Sequence, residues 1–174
     1  HSTETKKVKV VSAMRDKLVP ITYNGKTTYN KINSAYIKGG PELAIKTLNT
    51  VFGLDISEYA TVNFYGMADI IDAVGGVDIE LTALEAQGLN GEVRTNAYAK
   101  HKMYEGMNHL DGYDALQYSR LRYIDSDWKR IERQRNVIQA VVHKAQNLSL
   151  LELNDVANTI LPMIVGSTLY RRKK

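Results

Sequence analysis

Residues Tyr59–Leu81 read YATVNFYGMADIIDAVGGVDIEL, and the fold class turns on them. The β-branched and aromatic run Tyr59–Tyr65 predicts a strand. Gly66–Val74 then predicts a short helix stopped at Gly75-Gly76, and Val77–Leu81 reads as another strand. Upstream, Lys7–Met14 (KVKVVSAM) reads as a strand with Arg15 at its end, and Asn24-Gly25 signals a tight turn within Ile21–Tyr29. Asn30–Asn33 continues as a loop. After the punctuation of Gly39-Gly40, Pro41 with Glu42 behind it opens a helix that turns Leu43, Leu48, Val51 and Phe52 inward and closes at Gly53. Alternating strands and helices predict an α/β fold: a layered α/β/α domain whose mixed, partly parallel central sheet is flanked by helices.

Downstream, Thr82-x-x-Glu85 has the form of a capping box and Asn90-Gly91 that of a turn, inside a stretch to Tyr104 expected to be a mobile excursion. Asp111 is a natural cap for a short helix over Tyr113–Tyr118. Trp128–Asn147 has no Pro or Gly and reads as a long helix, with Ile131, Ile138, Val141, Val142 and Ala145 as its inward stripe. Leu150–Val165 is a second apolar helical segment.

A chain of 174 residues, 44% of them hydrophobic, suffices for a single domain over 1–174. The net charge of +4 favours anionic partners only mildly and is far from that of a nucleic-acid arm. Zero cysteines exclude disulfides and cysteine-bearing metal sites. No apolar stretch is long enough to cross a bilayer. The start, His1-Ser2-Thr3, carries neither an initiator methionine nor a signal-peptide pattern, so the chain reads as trimmed.

The chemistry concentrates in Ser119–Arg135 (SRLRYIDSDWKRIERQR), with five arginines and two aspartates. Arginine offers a permanently charged fork matched to phosphate oxygens, so the cluster predicts a phosphate or pyrophosphate site. Arg120 and Arg122 sit at strand spacing, which would point both to one face. Gln134 on the inward stripe and Arg130 on its flank make that helix face polar near its start and suggest a lined cavity. The plainer alternative is a salt-bridge network without a ligand. Asp125-x-Asp127 could hold magnesium, but with arginines at hand the aspartates are expected to orient the guanidinium groups, or one of them to take a proton from an attacking hydroxyl. Trp128 reads as packing more readily than as a sugar-stacking residue. Scattered histidines argue against zinc, no Gly-x-Ser-x-Gly elbow supports a serine hydrolase, and the glycine pairs lack the Lys and Ser/Thr of a P-loop.

Val10-Val11-Ser12 leading to Met14-Arg15-Asp16, then Lys31-Ile32-Asn33-Ser34-Ala35-Tyr36 before Gly39-Gly40-Pro41-Glu42, form the first half of a recognisable series. Val74-Gly75-Gly76-Val77, His109-Leu110-Asp111-Gly112 with Ala115-Leu116, Ser119-Arg120-x-Arg122, Asp125-x-Asp127 and Arg130-x-x-Arg133-Gln134 complete it. In this order and context the chain resembles the LytR-CpsA-Psr family of cell-envelope phosphotransferases over nearly its whole length. The resemblance implies transfer of a glycopolymer, such as wall teichoic acid or capsule, from polyprenyl pyrophosphate to peptidoglycan as a phosphodiester, with release of polyprenyl phosphate, at the extracellular face of the bacterial cytoplasmic membrane. It implies Arg120, Arg122 and Asp127 as catalytic residues, and Arg15, Lys31, Arg120, Arg122, Arg130 and Gln134 as pyrophosphate-binding residues. An apolar tunnel is expected for the lipid.

The family also implies Mg2+, held by aspartates of an N-terminal segment, and a membrane anchor; both are expected to be missing from this chain, so no metal ligand is assigned. The expected partners are the polyprenyl-pyrophosphate glycopolymer, the peptidoglycan acceptor and, through the missing anchor, the membrane surface, with no nucleic acid. The alternatives are a lipid pyrophosphate hydrolase and a binding or regulatory module without catalysis.

Overall fold

An Asn-Gly turn organises the first part of the chain. The structure, a computed structural model, describes residues 11–59 and 61–160. They divide into two compact units, one formed from residues 13–61 and the other from residues 11–12 and 62–160.

In the first unit, β1 (Leu18–Tyr23) and β2 (Lys26–Lys31) pair antiparallel with Tyr23 opposite Lys26 and Leu18 opposite Lys31. Asn24 (φ 48) and Gly25 (φ 76) both adopt the left-handed conformation that a two-residue hairpin turn requires, which is why this dipeptide stands there. Val19 and Ile21 point to one face and are buried with Ile32, Ala35 and Leu43. α1 (Asn33–Phe52) is two helical pieces broken at Gly39-Gly40, where Gly40 has φ 64, and it ends in Gly53 at φ 63. The glycine pair thus punctuates as expected, and helix also precedes it. Leu43 is buried, and Leu48 and Val51 pack on the same cluster. Phe52, expected inside, is exposed, and the Lys17 ammonium lies 4.8 Å from its ring centre.

The second unit begins with α2 (Phe64–Ala73), not with the strand expected over Tyr59–Tyr65. Asn63 caps the helix, its side-chain oxygen accepting from the Gly66 amide at 2.7 Å, and this local bond overrides the strand preference of the aromatic run. β3 (Val77–Leu81), the expected strand, alternates buried and exposed and pairs antiparallel with β4 (Gly106–Leu110). Between them lies α3 (Ala83–Leu89), opened by the expected capping box of Thr82 and Glu85.

α4 (Gly112–Arg120) is capped by Asp111, α5 (Asp127–Gln146) by Ser126, and α6 runs Leu150–Ile160. The core gathers Ile71, Val77, Ile79, Leu81, Leu89, Leu110, Ala115, Tyr118, Leu121 and Val137. α4 and α2 meet at Gly112, whose amide donates to Asp72 Oδ1 at 2.6 Å and whose missing side chain leaves room for the Ala68 carbonyl. Mixed α/β is thus the observed class. Among the described residues both strand ladders are antiparallel. Most of the expected strand Lys7–Met14 lies outside the described residues, and 11–14 have no strand pairing. The remainder of the helix expected to Val165 lies outside them too.

Candidate active site

α4 delivers the chain to the arginine cluster, but not along a strand. Arg120 is the last residue of α4, Leu121 (φ −54, ψ 125) caps it, and Arg122 follows in the loop. The strand spacing expected for Arg120 and Arg122 is therefore corrected: the chain changes direction between them, and their shared frame is the held backbone of Leu121.

That frame is built by Arg133, which the sequence reading left unassigned. Arg133 is almost wholly buried, at 1% exposure. Its guanidinium donates to Asp125 through both terminal nitrogens, at 2.6 Å (Nη1 to Oδ2) and 2.9 Å (Nη2 to Oδ1). Nη2 also donates to the Leu121 carbonyl at 2.9 Å, and Nη1 to Glu85 Oε1 at 3.3 Å. The other oxygen of Glu85 closes the capping box of α3, accepting from the Thr82 amide at 3.0 Å. One buried cation therefore joins α3, the turn after α4 and the loop before α5. Burial works against its charge, but the hydrogen bonds and charges of Asp125 and Glu85 outweigh that and raise the pKa of Arg133 above its ordinary value. This corrects the expected inward stripe of α5: its buried residues are Arg133 and Val137, with Ala140 and Val141 packed beside the core, whereas Ile138 is partly exposed.

The two aspartates do orient arginines. Asp125 holds Arg133, and Asp127 Oδ1 lies 2.8 Å from Arg130 Nη1 in the first turn of α5. Gln134 Nε2 reaches the Ser119 carbonyl at 3.5 Å, and Asn96 Nδ2 donates to the Arg120 carbonyl at 3.1 Å. The start of α5 and the end of α4 are thus tied at Ser119 and Leu121, the residues that flank Arg120. Arg15 and Lys31 belong to the first unit, where Lys31 Nζ lies 3.3 Å from Asp16.

Beside this frame opens a largely apolar groove of about 450 Å³, lined by Phe64, Met67, Ile71, Leu116, Val137 and Ile138, with Asn63, Ser119 and Gln134 as polar members. Gln134 lines it, as the polar start of the α5 stripe predicted, whereas Arg130, expected on the flank of the same cavity, is not among its lining residues. The Arg120 guanidinium stands 5.6 Å from the ring centre of Phe64, at the groove's wall.

The stretch to Tyr104, expected to be mobile, is pinned down. Asn90 exchanges two 2.9 Å bonds with the backbone of Met103, and Ala97 and Met103 are buried. Asp114, fully buried, accepts from the Lys100 amide at 2.6 Å and faces His101 Nδ1 at 2.7 Å. His101, Asp111 and Asp114 are close enough together to take up an ion. They lie at the N-terminal end of α4, away from Arg120, and their hydrogen bonds make them a clip that fastens the loop to the helix.

The profile of the LytR_cpsA_psr family matches residues 1–166. The chain belongs to this family. It is 37% identical over 156 residues to a Bacillus cereus protein named polyisoprenyl-teichoic acid–peptidoglycan teichoic acid transferase TagU, a match covering 88% of this chain and 47% of that one. The fold is similar to the crystal structure of B. subtilis TagV (TM-score 0.69, 26% identity, 86% of this chain and 56% of that one). It is also similar to a structure of TagT bound to LIIa-WTA (TM-score 0.65, 27% identity, 84% and 60%). The chain spans about half the length of the Bacillus cereus relative. No helix among the described residues is long and apolar enough to cross a membrane.

Proposed function

We propose that this protein transfers a glycopolymer from a polyprenyl pyrophosphate carrier to a hydroxyl of peptidoglycan, in the cell envelope outside the cytoplasmic membrane. The observation that carries the reading is the pairing of arginine forks with an apolar groove: Arg120 stands over Phe64 of the groove wall, and Gln134 lines the groove one helical turn from Arg130. A ligand with a diphosphate head and a hydrocarbon tail matches both features at once.

In this reading Arg120, Arg122 and Arg130 neutralise the phosphate oxygens and hold them in line, which is most of what phosphoryl transfer asks of a protein. The acceptor hydroxyl oxygen forms a bond to the phosphorus that bears the glycopolymer. The bridging P–O bond to the lipid phosphate breaks, and polyprenyl phosphate departs with the electron pair. Asp127 takes the hydroxyl proton. It is the freer of the two carboxylates, its side chain 79% exposed against 23% for Asp125. Magnesium, which the family resemblance implies, does not fit Asp125 and Asp127, because each already faces an arginine.

Product analysis tests the proposal. Lipid-pyrophosphate-linked glycopolymer is incubated with the protein, peptidoglycan and Mg2+. A phosphodiester between polymer and peptidoglycan, with release of polyprenyl phosphate, supports it. Free polymer phosphate in place of the diester would make the protein a hydrolase.

A further inference from the structure

The loop between Arg122 and Asp125 carries a residue in an unusual state. Tyr123 has φ 70, a left-handed backbone that a bulky side chain rarely adopts and that costs on the order of 1 kcal/mol. Its ring is not buried in return, being 66% exposed. It is nevertheless held. The Arg94 guanidinium lies 5.6 Å from the ring centre, and the residues on either side are anchored by the buried guanidinium of Arg133, which donates to the backbone carbonyl of Leu121 and to the side-chain carboxylate of Asp125. Strain kept in an exposed, well-anchored residue beside a functional cluster is retained for what the side chain presents.

A second exposed aromatic, Trp128, stands 66% exposed in the first turn of α5, after the same loop. That corrects the packing role expected for it. An aromatic face backed by a guanidinium, with a further indole nearby in the chain, is suited to a pyranose ring: the C–H face of the sugar lies on the aromatic ring, and the hydroxyls accept from arginine.

We propose that Tyr123, with Arg94 over it, is a sugar-binding residue that seats a pyranose next to the transferring phosphate. The inference rests on the phosphoryl-transfer reading and names the part of the substrate that this loop recognises. The sugar could belong to the donor polymer or to the peptidoglycan acceptor; both present the same chemistry.

Trp128 is the single tryptophan, so its emission reports binding in the 174-residue chain directly. Three probes are titrated: farnesyl pyrophosphate, farnesyl pyrophosphate bearing one N-acetylglucosamine, and a soluble peptide-free peptidoglycan tetrasaccharide. Tyr123→Ala is expected to weaken the sugar-bearing probe that uses the site about tenfold and to leave bare farnesyl pyrophosphate unchanged. Tyr123→Phe restores binding, because stacking does not need the hydroxyl. Tyr123→Gly, free of the backbone strain, keeps cooperative unfolding yet binds sugar as poorly as the alanine variant.

Loss on the farnesyl-linked sugar assigns the seat to the donor, and loss on the tetrasaccharide assigns it to the acceptor. Sugar binding unaffected by Tyr123→Ala overturns the proposal, as does equal weakening of all three probes, which would make the residue structural. A parent protein that binds sugar but not farnesyl pyrophosphate, and loses the sugar with Tyr123→Ala, upholds the sugar seat and refutes the phosphoryl-transfer reading.

Discussion

Replacing Arg133 by methionine fills a similar volume with an apolar chain and removes the cation at the centre of the arginine frame. The loss is four hydrogen bonds: two to Asp125 at 2.6 and 2.9 Å, one to Glu85 at 3.3 Å and one to the Leu121 carbonyl at 2.9 Å. Two carboxylates with limited access to water are left facing each other, Asp125 at 23% and Glu85 at 11% side-chain exposure. Breaking a buried ion pair by removing one partner costs about 3–5 kcal/mol, a large part of a typical stability of about 5–15 kcal/mol. Urea denaturation should show that loss. Arg133→Met combined with Asp125→Leu should recover part of it, since the second change removes one of the stranded charges. Arg133→Lys keeps the charge but loses the fork, so it should fall between parent and methionine variant. A loss under 1 kcal/mol for Arg133→Met, or strict additivity of the double variant, would refute the idea that one buried guanidinium organises this loop.

The phenol of Tyr118 supplies a pH test. Burial pushes its pKa up to about 12 from an ordinary value near 10, the hydrogen bond from Asn136 opposing the shift. The unfolded chain therefore releases this proton first. The stabilisation is complete below about pH 10 and is lost as pH rises towards 12, amounting to roughly 2–3 kcal/mol by linkage. Tyr118→Phe should remove that alkaline slope in melts between pH 9 and pH 12, and an unchanged slope would assign it to other groups. Gly112→Ala would drive a methyl group into the Ala68 carbonyl at the α2–α4 contact. A destabilisation of about 1–3 kcal/mol or more is expected in urea, and a neutral result would mean the helices part without strain.

Local signals made much of the fold legible. The Val77–Leu81 strand, the Thr82 and Glu85 capping box, the Asp111 cap, the glycine break before Pro41 and the Asn24-Gly25 turn each settle within a few residues, and each is observed. Tyr59–Tyr65 is strand-like in composition, but the Asn63 side chain caps a helix that starts inside it, and that local bond outweighs the aromatic run. The two-residue spacing of Arg120 and Arg122 is not specific to a strand; the first ends a helix and the second lies beyond its cap.

In the site, the residue types were readable and their partners were not. Arg133 looks like a surface residue on sequence alone, and its burial depends on Glu85, 48 positions away. Such a pairing leaves no periodic trace. The only hint was that Asp125 stands eight residues before Arg133, near enough to meet across one loop and two helical turns. The Arg94 contact that covers Tyr123 is likewise a product of the folded loop.

Calorimetric titration of the chain with farnesyl pyrophosphate, inorganic pyrophosphate and farnesol tests the central claim most directly, with Arg120→Gln alongside the parent. If arginine forks and the apolar groove act on one ligand, farnesyl pyrophosphate binds more tightly than either fragment, and Arg120→Gln weakens it by about tenfold or more. Equal affinity for farnesyl pyrophosphate and inorganic pyrophosphate, or binding indifferent to Arg120, would contradict the account.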